Sequence, residues 1–137
     1  MEMALALAEK GRGWTSPNPM VGAVVVQQNE AVGRGFHEAV GRAHAEVNAI
    51  EAAGARARGA TLYVTLEPCN HFGKTPPCTE KILTAGIRRV VVAMEDPNPS
   101  VAGGGIQRLV KAGVEVDVGV CRRKALRQNE AFVKHVT

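Results

Sequence analysis

The sequence predicts a single α/β domain, a three-layer α/β/α sandwich with helices on both faces of a mixed five-stranded sheet. Its 137 residues are enough for one domain with one core. Strand-like and helix-like segments alternate along the second half of the chain, which favours parallel strands joined by helical crossovers. Near the N-terminus, two strand-like runs are separated by a short polar turn. This predicts a hairpin and therefore a mixed sheet.

The first half of the chain is predicted to contain two helices and the hairpin. Residues 3–10 are rich in Ala, Leu, Glu and Lys, which are strong helix formers. Residues 21–27 form a β-branched run typical of a buried strand, and residues 31–36 return as its partner. Residues 44–53 again have helical composition. The hairpin therefore lies between two helices along the chain.

The second half is predicted to alternate strand with helix three times. Its strands are β-branched runs, and its first two helices each end at a glycine. A loop rich in Pro, Asn and Asp at 95–100 separates the second strand from the second helix. In order, the segments are 60–66, 79–85, 87–94, 105–112, 114–118 and 122–131.

Composition is ordinary for a soluble globular protein, with 45% hydrophobic and 22% charged residues. No apolar run approaches the roughly 20 residues that span a bilayer, and the first residues do not resemble a signal peptide. We therefore expect a cytoplasmic protein with reduced thiols and no membrane partner. The net charge of +4 is not arranged as one long basic tract, so we expect no nucleic-acid partner.

The most informative pattern is His44 and Glu46 followed by Cys69 and Cys78. One imidazole and two thiols supply three metal ligands, leaving a fourth position for water, and the carboxylate supplies an acid/base group. Zinc-dependent nucleobase deaminases show the same order of residues. A disulfide between the two cysteines is the alternative, which the expected reducing environment disfavours.

The predicted elements place these residues at one edge of the sheet. His44 and Cys78 lie at the starts of two helices, where unsatisfied N–H groups and the helix dipole stabilise a thiolate. Cys69 follows a strand, and sites in open α/β sheets lie outside the carboxyl ends of strands. In the first turn of its helix, Glu46 can reach the same pocket without binding the metal. We expect it to carry protons between water and a leaving amine.

Four segments of the chain resemble a known family, the deaminase domain of bacterial riboflavin biosynthesis. They are TSPNPMVGA at 15–23, GFH at 35–37, HAE at 44–46 and TLEPCNHFGKTPPC at 65–78. The eight residues between the two cysteines are more specific than His-x-Glu alone. The resemblance implies a cytidine-deaminase-like fold. It also implies zinc-dependent hydrolytic deamination of 2,5-diamino-6-(5-phosphoribosylamino)pyrimidin-4(3H)-one to 5-amino-6-(5-phosphoribosylamino)uracil and ammonia.

By the same resemblance, His44, Cys69 and Cys78 are the zinc ligands and Glu46 is the proton shuttle. The remaining matched residues would bind the substrate: Asn18, His37, His71 and Lys74 around the pyrimidine and phosphate, and Asp96 and Asn98 near the ribose. The chemistry of two of them agrees. The Asn18 amide can both donate to and accept from a pyrimidine edge, and the Lys74 ammonium suits a phosphomonoester. His71 is also a conceivable fourth metal ligand.

Two other functions remain open from the residues. A nucleoside or transfer-RNA base deaminase would use the same zinc chemistry but would need a basic surface for its polyanion. A zinc-stabilised binding module would need a closed four-ligand site that includes His71 or Cys121.

We expect the whole chain, residues 1–137, to be one zinc-dependent pyrimidine deaminase domain. Residues 129–137 resemble the start of the join to a reductase domain, which is expected to act in cis or in trans. The resemblance also suggests a homo-oligomer.

Overall fold

A computed structural model of the chain describes residues 1–73 and 75–137. The helices are α1 Glu2–Glu9, α2 Ala45–Ala53, α3 Cys78–Ala85, α4 Gly104–Lys111, α5 Arg122–Gln128 and α6 Glu130–Val136. The strands are β1 Gly22–Gln27, β2 Glu30–Phe36, β3 Thr61–Val64, β4 Arg89–Val92 and β5 Glu115–Val118. A single 3₁₀ turn, Gly54–Ala57, follows α2. The predicted order of elements is confirmed from α1 to β5.

The five strands form one mixed sheet in the order β2-β1-β3-β4-β5. β1 is antiparallel to both β2 and β3, while β3, β4 and β5 are parallel to one another. Four strands therefore run in one direction and β1 runs in the other. The carboxyl ends of β2, β3 and β4 meet the amino end of β1 at one edge, where the predicted site residues follow or precede them.

Helices cover both faces of the sheet, which confirms the three-layer sandwich. On one face, the larger core joins α2, α3 and α4 to the sheet through residues such as Ile50, Ile82 and Leu109. On the other face, α1 packs on β1 and β2, and a smaller cluster that includes Leu5 and Ala125 joins α1 and α5 to the segments that follow β3 and β4. No helix in the described residues has the length and apolarity needed to cross a membrane.

The hairpin between β1 and β2 turns more tightly than predicted. Its two loop residues, Gln28 and Asn29, have φ values of 52° and 64°, and Glu30 already belongs to β2. Two successive residues with positive φ are typical of the type I′ turn, whose twist matches that of the flanking strands. The turn therefore needs two residues rather than three.

The helix α2 lies directly on the backbone of β2. A Cβ atom at Gly35 would lie 2.6 Å from the carbonyl oxygen of Ala45, and one at Gly33 would lie 2.2 Å from that of Ala49. Only glycine permits so close an approach. The absence of side chains at these two positions therefore sets the distance between the sheet and the helix that begins just after His44.

The predicted helix at 122–131 is wrong, because the structure has two helices that meet at Asn129. The Asn129 side chain is 4% exposed and pairs with both backbone groups of Met20. Its Oδ1 accepts from the Met20 N–H at 2.8 Å, and its Nδ2 donates to the Met20 carbonyl at 2.8 Å. Holding this buried amide against a distant segment interrupts the helix.

The strands predicted at 60–66 and 87–94 are longer than the observed β3 and β4. Beyond the strand ends, the two segments diverge but still exchange single bonds. The Ala93 N–H donates to Val64, and the Glu67 N–H donates to Met94, both at 3.0 Å. The apolar runs continue because these residues remain buried after the regular ladder ends.

Candidate active site and metal centre

Three side chains, those of His44, Cys69 and Cys78, converge at the sheet edge. His44 is the N-cap of α2 and Cys78 is the first residue of α3, while Cys69 lies in the loop after β3. One ligand atom of each lies within 4.8 Å of the other two. All three cysteines of the chain are free, so the disulfide alternative is excluded. His71 and Cys121 are not part of this cluster in the described residues.

The spacing of these atoms fits a zinc ion. With Zn–S bonds of about 2.3 Å and Zn–N bonds of about 2.0 Å, tetrahedral ligand atoms lie about 3.5–3.8 Å apart. The Nδ1 atom of His44 lies 3.2 Å from the Sγ of Cys78 and 3.8 Å from the Sγ of Cys69. One nitrogen and two sulfurs form a donor set that zinc prefers, and a three-ligand site keeps a coordination position open.

The loop between the two cysteines is fastened at both ends. The Cys78 N–H donates to the Cys69 Sγ at 3.2 Å, and the Thr79 N–H donates to the Cys69 carbonyl at 3.2 Å. The Thr79 hydroxyl donates to the Asn70 Oδ1 at 2.8 Å. The two thiols therefore keep a fixed position relative to each other despite the eight residues between them, because Cys69 and Asn70 are hydrogen-bonded to the first turn of α3.

The two thiols differ in acidity. A hydrogen bond from the Cys78 thiol lowers the pKa of Cys69 to about 4, with a further contribution from His44. The same bond raises the pKa of Cys78, and burial raises it further. The hydrogen bond to Cys69 also raises the pKa of His44. Without metal, the pair therefore holds one thiolate and one thiol.

Glu46 lies in the first turn of α2, beside the three ligand residues. Its side chain is buried, with 4% exposure, and it lines the same cavity as His44 and Cys69. Burial raises the pKa of Glu46 to about 7, because the ionised form loses its hydration. A carboxyl group with a pKa near neutrality can both take up and release a proton at physiological pH.

The cavity at this edge has a volume of about 230 Å³. It brings together four of the six residues that the sequence predicted for substrate binding, namely Asn18, His37, His71 and Asp96. Asn18 precedes β1, His37 follows β2, His71 lies in the loop between the cysteines, and Asp96 follows β4. Burial raises the pKa of Asp96 above its ordinary value.

The two remaining predicted residues are not placed in this cavity. Lys74 lies outside the described residues. Asn98 does not line the cavity, and its Oδ1 accepts from the Ser100 N–H at 3.0 Å. Its own N–H donates to the Asp96 Oδ1 at 2.9 Å. Asn98 thus shapes the loop that carries Asp96, and its contact with a ligand stays a prediction.

His37 and His44 contact each other edge to face. Their ring centroids lie 5.5 Å apart at an interplanar angle of 89°. His37 is 3% exposed, and its Nδ1 lies 3.2 Å from the Ala43 carbonyl oxygen. This contact fixes the orientation of the ring. His37 therefore contacts both His44 and Asn18, and all three residues line the same cavity.

Glu67 and Phe132 are among the cavity residues that sequence reasoning did not predict. Glu67 is a charged residue, yet it is buried. It directly follows an apolar strand segment and precedes Pro68. A charged residue in an otherwise buried run is the signal that would have identified it. Phe132 lies on α6, which was predicted only up to residue 131 as part of a longer helix, and it carries no sequence signal of its own.

Comparison with known proteins agrees with this site. Residues 1–94 match a family described as the cytidine and deoxycytidylate deaminase zinc-binding region. The riboflavin biosynthesis protein RibD of Aquifex aeolicus is 58% identical over 137 residues, which are 100% of this chain and 38% of that protein. The chain thus spans little more than a third of this relative. A diaminohydroxyphosphoribosylamino-pyrimidine deaminase of Buchnera aphidicola is 46% identical over 99% of this chain and 92% of its own length.

Solved structures show the same likeness. RibD of Acinetobacter baumannii superposes with a TM-score of 0.97 at 50% identity, covering 98% of this chain and 38% of that one. The Rib2 deaminase of Aspergillus oryzae in complex with DARIPP superposes with a TM-score of 0.78 at 24% identity, covering 98% and 94%. The second likeness shows a shared fold.

Proposed function

The chain belongs to the zinc-binding family of cytidine and deoxycytidylate deaminases, and we propose that it deaminates 2,5-diamino-6-(5-phosphoribosylamino)pyrimidin-4(3H)-one. The products would be 5-amino-6-(5-phosphoribosylamino)uracil and ammonia, in riboflavin biosynthesis. One observation carries the proposal: the buried carboxyl group of Glu46 lines one cavity with His44 and Cys69, two of the three residues of the candidate metal site. The substrate follows from the name of the Buchnera relative, which this chain matches over nearly its whole length.

We propose that His44, Cys69 and Cys78 hold the zinc ion. When bound, zinc acts as a Lewis acid that lowers the pKa of water from about 15.7 toward about 7. The protein contributes the geometry of the ligands, because α2 and α3 present His44 and Cys78 from fixed helix ends. The role of each ligand is tested by its replacement and metal analysis.

Glu46 would move the protons. Its carboxylate would take a proton from the attacking water and deliver it to the ring nitrogen as water adds to the carbon that bears the amine. Glu46 would then take the proton of the added hydroxyl and deliver it to the amino nitrogen, so that the C–N bond breaks, ammonia leaves and the carbon keeps the oxygen as a carbonyl. A pKa of about 7 suits both directions of transfer.

The substrate would lie against the polar wall of the cavity. Asn18, His37, His71 and Asp96 line the cavity and would offer donors and acceptors to the substrate. Lys74 and Asn98 are retained in the proposal for the phosphate and ribose. We also propose that the chain is a deaminase domain, which works in the cytoplasm as a homo-oligomer and with a reductase in cis or in trans.

An assay for ammonia release tests this proposal. The zinc-loaded chain should release ammonia from the ribosylaminopyrimidine phosphate, with cytidine, adenosine and an RNA oligonucleotide as comparison substrates and a chelator as the negative arm. Activity on RNA or nucleosides alone would favour the general base deaminase instead.

Two variants on the same helix test the role of Glu46. Glu46→Gln should retain zinc and lose at least ~10²-fold in kcat, since general acid–base transfer contributes about that much or more. Glu51→Gln, an exposed change on α2, should leave kcat unchanged. Near-normal turnover by Glu46→Gln would contradict the assignment.

A further inference from the structure

Glu67 has a carboxylate that no side-chain cation pairs with among the described residues, although it is only 5% exposed. Its partners are backbone N–H groups. Oε1 accepts from Asp96 at 3.0 Å and from Gly103 at 2.9 Å, and Oε2 accepts from Ile106 at 3.1 Å. Three such bonds stabilise a buried charge, and each would be lost if the acceptor were removed.

These three bonds span the whole connection between β4 and α4. Asp96 lies near its beginning, whereas Gly103 and Ile106 lie at the N-cap and in the first turn of α4. The helix also rests on the segment that carries Glu67, because a Cβ atom at Gly105 would lie 2.0 Å from the Pro68 carbonyl oxygen. The Glu67 side chain thus binds both ends of the connection between β4 and α4, and the first turn of α4 as well.

The position of Glu67 links this loop to the metal cluster. Glu67 lies two residues before Cys69, and both residues line the 230 Å³ cavity with Asp96. The Asp96 carboxylate is in turn fixed by the Asn98 N–H at 2.9 Å. The distance from Cys69 to the Asp96 side of the cavity is therefore set through Glu67.

We propose that Glu67 is a positioning residue, which holds the loop bearing Asp96 at a fixed distance from the metal ligands so that it can bind substrate. The proposal rests on the proposed function. Asp96 supplies a carboxylate that accepts from hydroxyl or amino groups of the substrate. Glu67 acts on binding through this loop rather than on the reacting atoms.

The variant Glu67→Gln tests this directly. An amide has one acceptor oxygen, so at least one of the three N–H groups would face an NH₂ group instead. Loss of one such bond at the loop should raise KM about tenfold, with kcat within about twofold of wild type and full zinc content. Glu67→Asp, which keeps both acceptors but shortens the side chain, provides a second variant should the amide prevent folding.

Leu109→Ala is the matched control. Leu109 is fully buried on the same helix, and it packs into the core rather than against the Glu67 carboxylate. Its truncation should lower the melting temperature at least as much as Glu67→Gln while leaving KM unchanged. Equal rises in KM for the two variants, or a loss confined to kcat in Glu67→Gln, would overturn the proposal.

Amide hydrogen exchange separates this inference from the proposed function. In Glu67→Gln, the amides of Asp96, Gly103 and Ile106 should exchange faster than in wild type, while the amides of β1 do not change. Unchanged exchange at the three amides would overturn the role of Glu67, whatever the chain deaminates. A wild-type chain that released no ammonia would instead overturn the function alone.

Discussion

The Nδ2 atom of Asn18 lies 3.3 Å from the Nε2 atom of His37, and this contact fixes the protonation of His37. The other ring nitrogen, Nδ1, lies 3.2 Å from the Ala43 carbonyl oxygen, so it must be the donor there. Nε2 is then the acceptor for the Asn18 amide N–H, and the ring is neutral. The Asn18 amide oxygen is left to accept from a ligand. Burial agrees with this, since it lowers the pKa of His37.

This arrangement predicts how the pKa of His37 depends on Asn18. In the zinc-loaded protein, the pKa of His37 should lie below 6.5, its ordinary value. Asn18→Ala should raise it, because the neutral ring loses a donor and gains contact with water. NMR titration of the imidazole resonances measures both values. A pKa that did not change in Asn18→Ala would show that the amide does not fix the ring.

The buried carboxyl of Glu46 predicts a pH dependence of stability. Below pH 4.5 the group is protonated in both the folded and the unfolded chain. As the pH rises from 4.5 to about 7, only the unfolded chain ionises, so the folded state of the wild type loses stability relative to Glu46→Gln. The full loss is about 3 kcal/mol, at 1.36 kcal/mol for each pH unit between the two pKa values.

Urea denaturation of both metal-free proteins at pH 5 and pH 8 measures this difference. The gap between wild type and Glu46→Gln should widen in favour of the variant at the higher pH. Glu51→Gln, the same substitution at an exposed position of α2, serves as the control. Parallel pH profiles for wild type and Glu46→Gln would mean that the folded protein ionises Glu46 normally.

Metal uptake should release protons. Zinc binds thiolates, yet the metal-free pair retains a proton on Cys78 because the pKa of that thiol is raised. We expect at least one proton to be released per zinc ion at pH 7. Calorimetric titration in two buffers with different ionisation enthalpies gives the number of protons released per zinc ion. Cys121→Ser should not alter it, whereas release of no proton would contradict the assignment of both thiols as ligands.

The amide of Asn129 predicts a stability effect far from the metal. Asn129→Ala would leave the N–H and carbonyl of Met20 buried without partners, at a cost of about 2–4 kcal/mol. Asn129→Asp keeps the acceptor for the N–H but loses the donor to the Met20 carbonyl, so its stability should also fall. Chemical denaturation measures both variants. A loss below about 0.5 kcal/mol in Asn129→Ala would mean that water replaces the amide.

Because α2 packs closely on β2, we expect alanine substitutions at Gly35 and Gly104 to differ strongly in their effects on stability and kcat. Gly35→Ala should destabilise the protein by roughly 1–3 kcal/mol, because the added Cβ forces α2 away from the sheet. It should also reduce kcat, since Glu46 moves with the helix. Gly104→Ala is the control, because its Cβ would meet nothing within 4 Å. Thermal unfolding and the ammonia assay should separate the two variants.

The order of the elements up to β5 could be predicted from local sequence, and short motifs identified the three residues that the structure brings together as a possible metal site. β-branched runs and helix-forming segments identify β1 to β5, and the spacing of His44, Glu46, Cys69 and Cys78 identifies a zinc chemistry. The signals for strands and helices are short-range, whereas the candidate metal residues are identified by their types in short motifs, although His44 and Cys78 lie 34 residues apart.

The remaining features depend on partners distant in sequence. The break at Asn129 arises from its bonds to Met20, which lies 109 residues earlier, so a helical composition across 122–131 conceals it. The role of Glu67 likewise depends on N–H groups 29 to 39 residues later. Such contacts leave no periodic pattern in the chain, and only the folded structure shows them.

Cys69 and Asn70 are hydrogen-bonded to the first turn of α3. The ends of this loop can therefore hold the thiols in place while its interior has a different role. Because three hydrogen bonds hold the ends of the loop, we expect exchanges in its interior to leave the two thiols in place. Under the proposed function, such exchanges would change which substrate is bound without moving the proposed metal ligands.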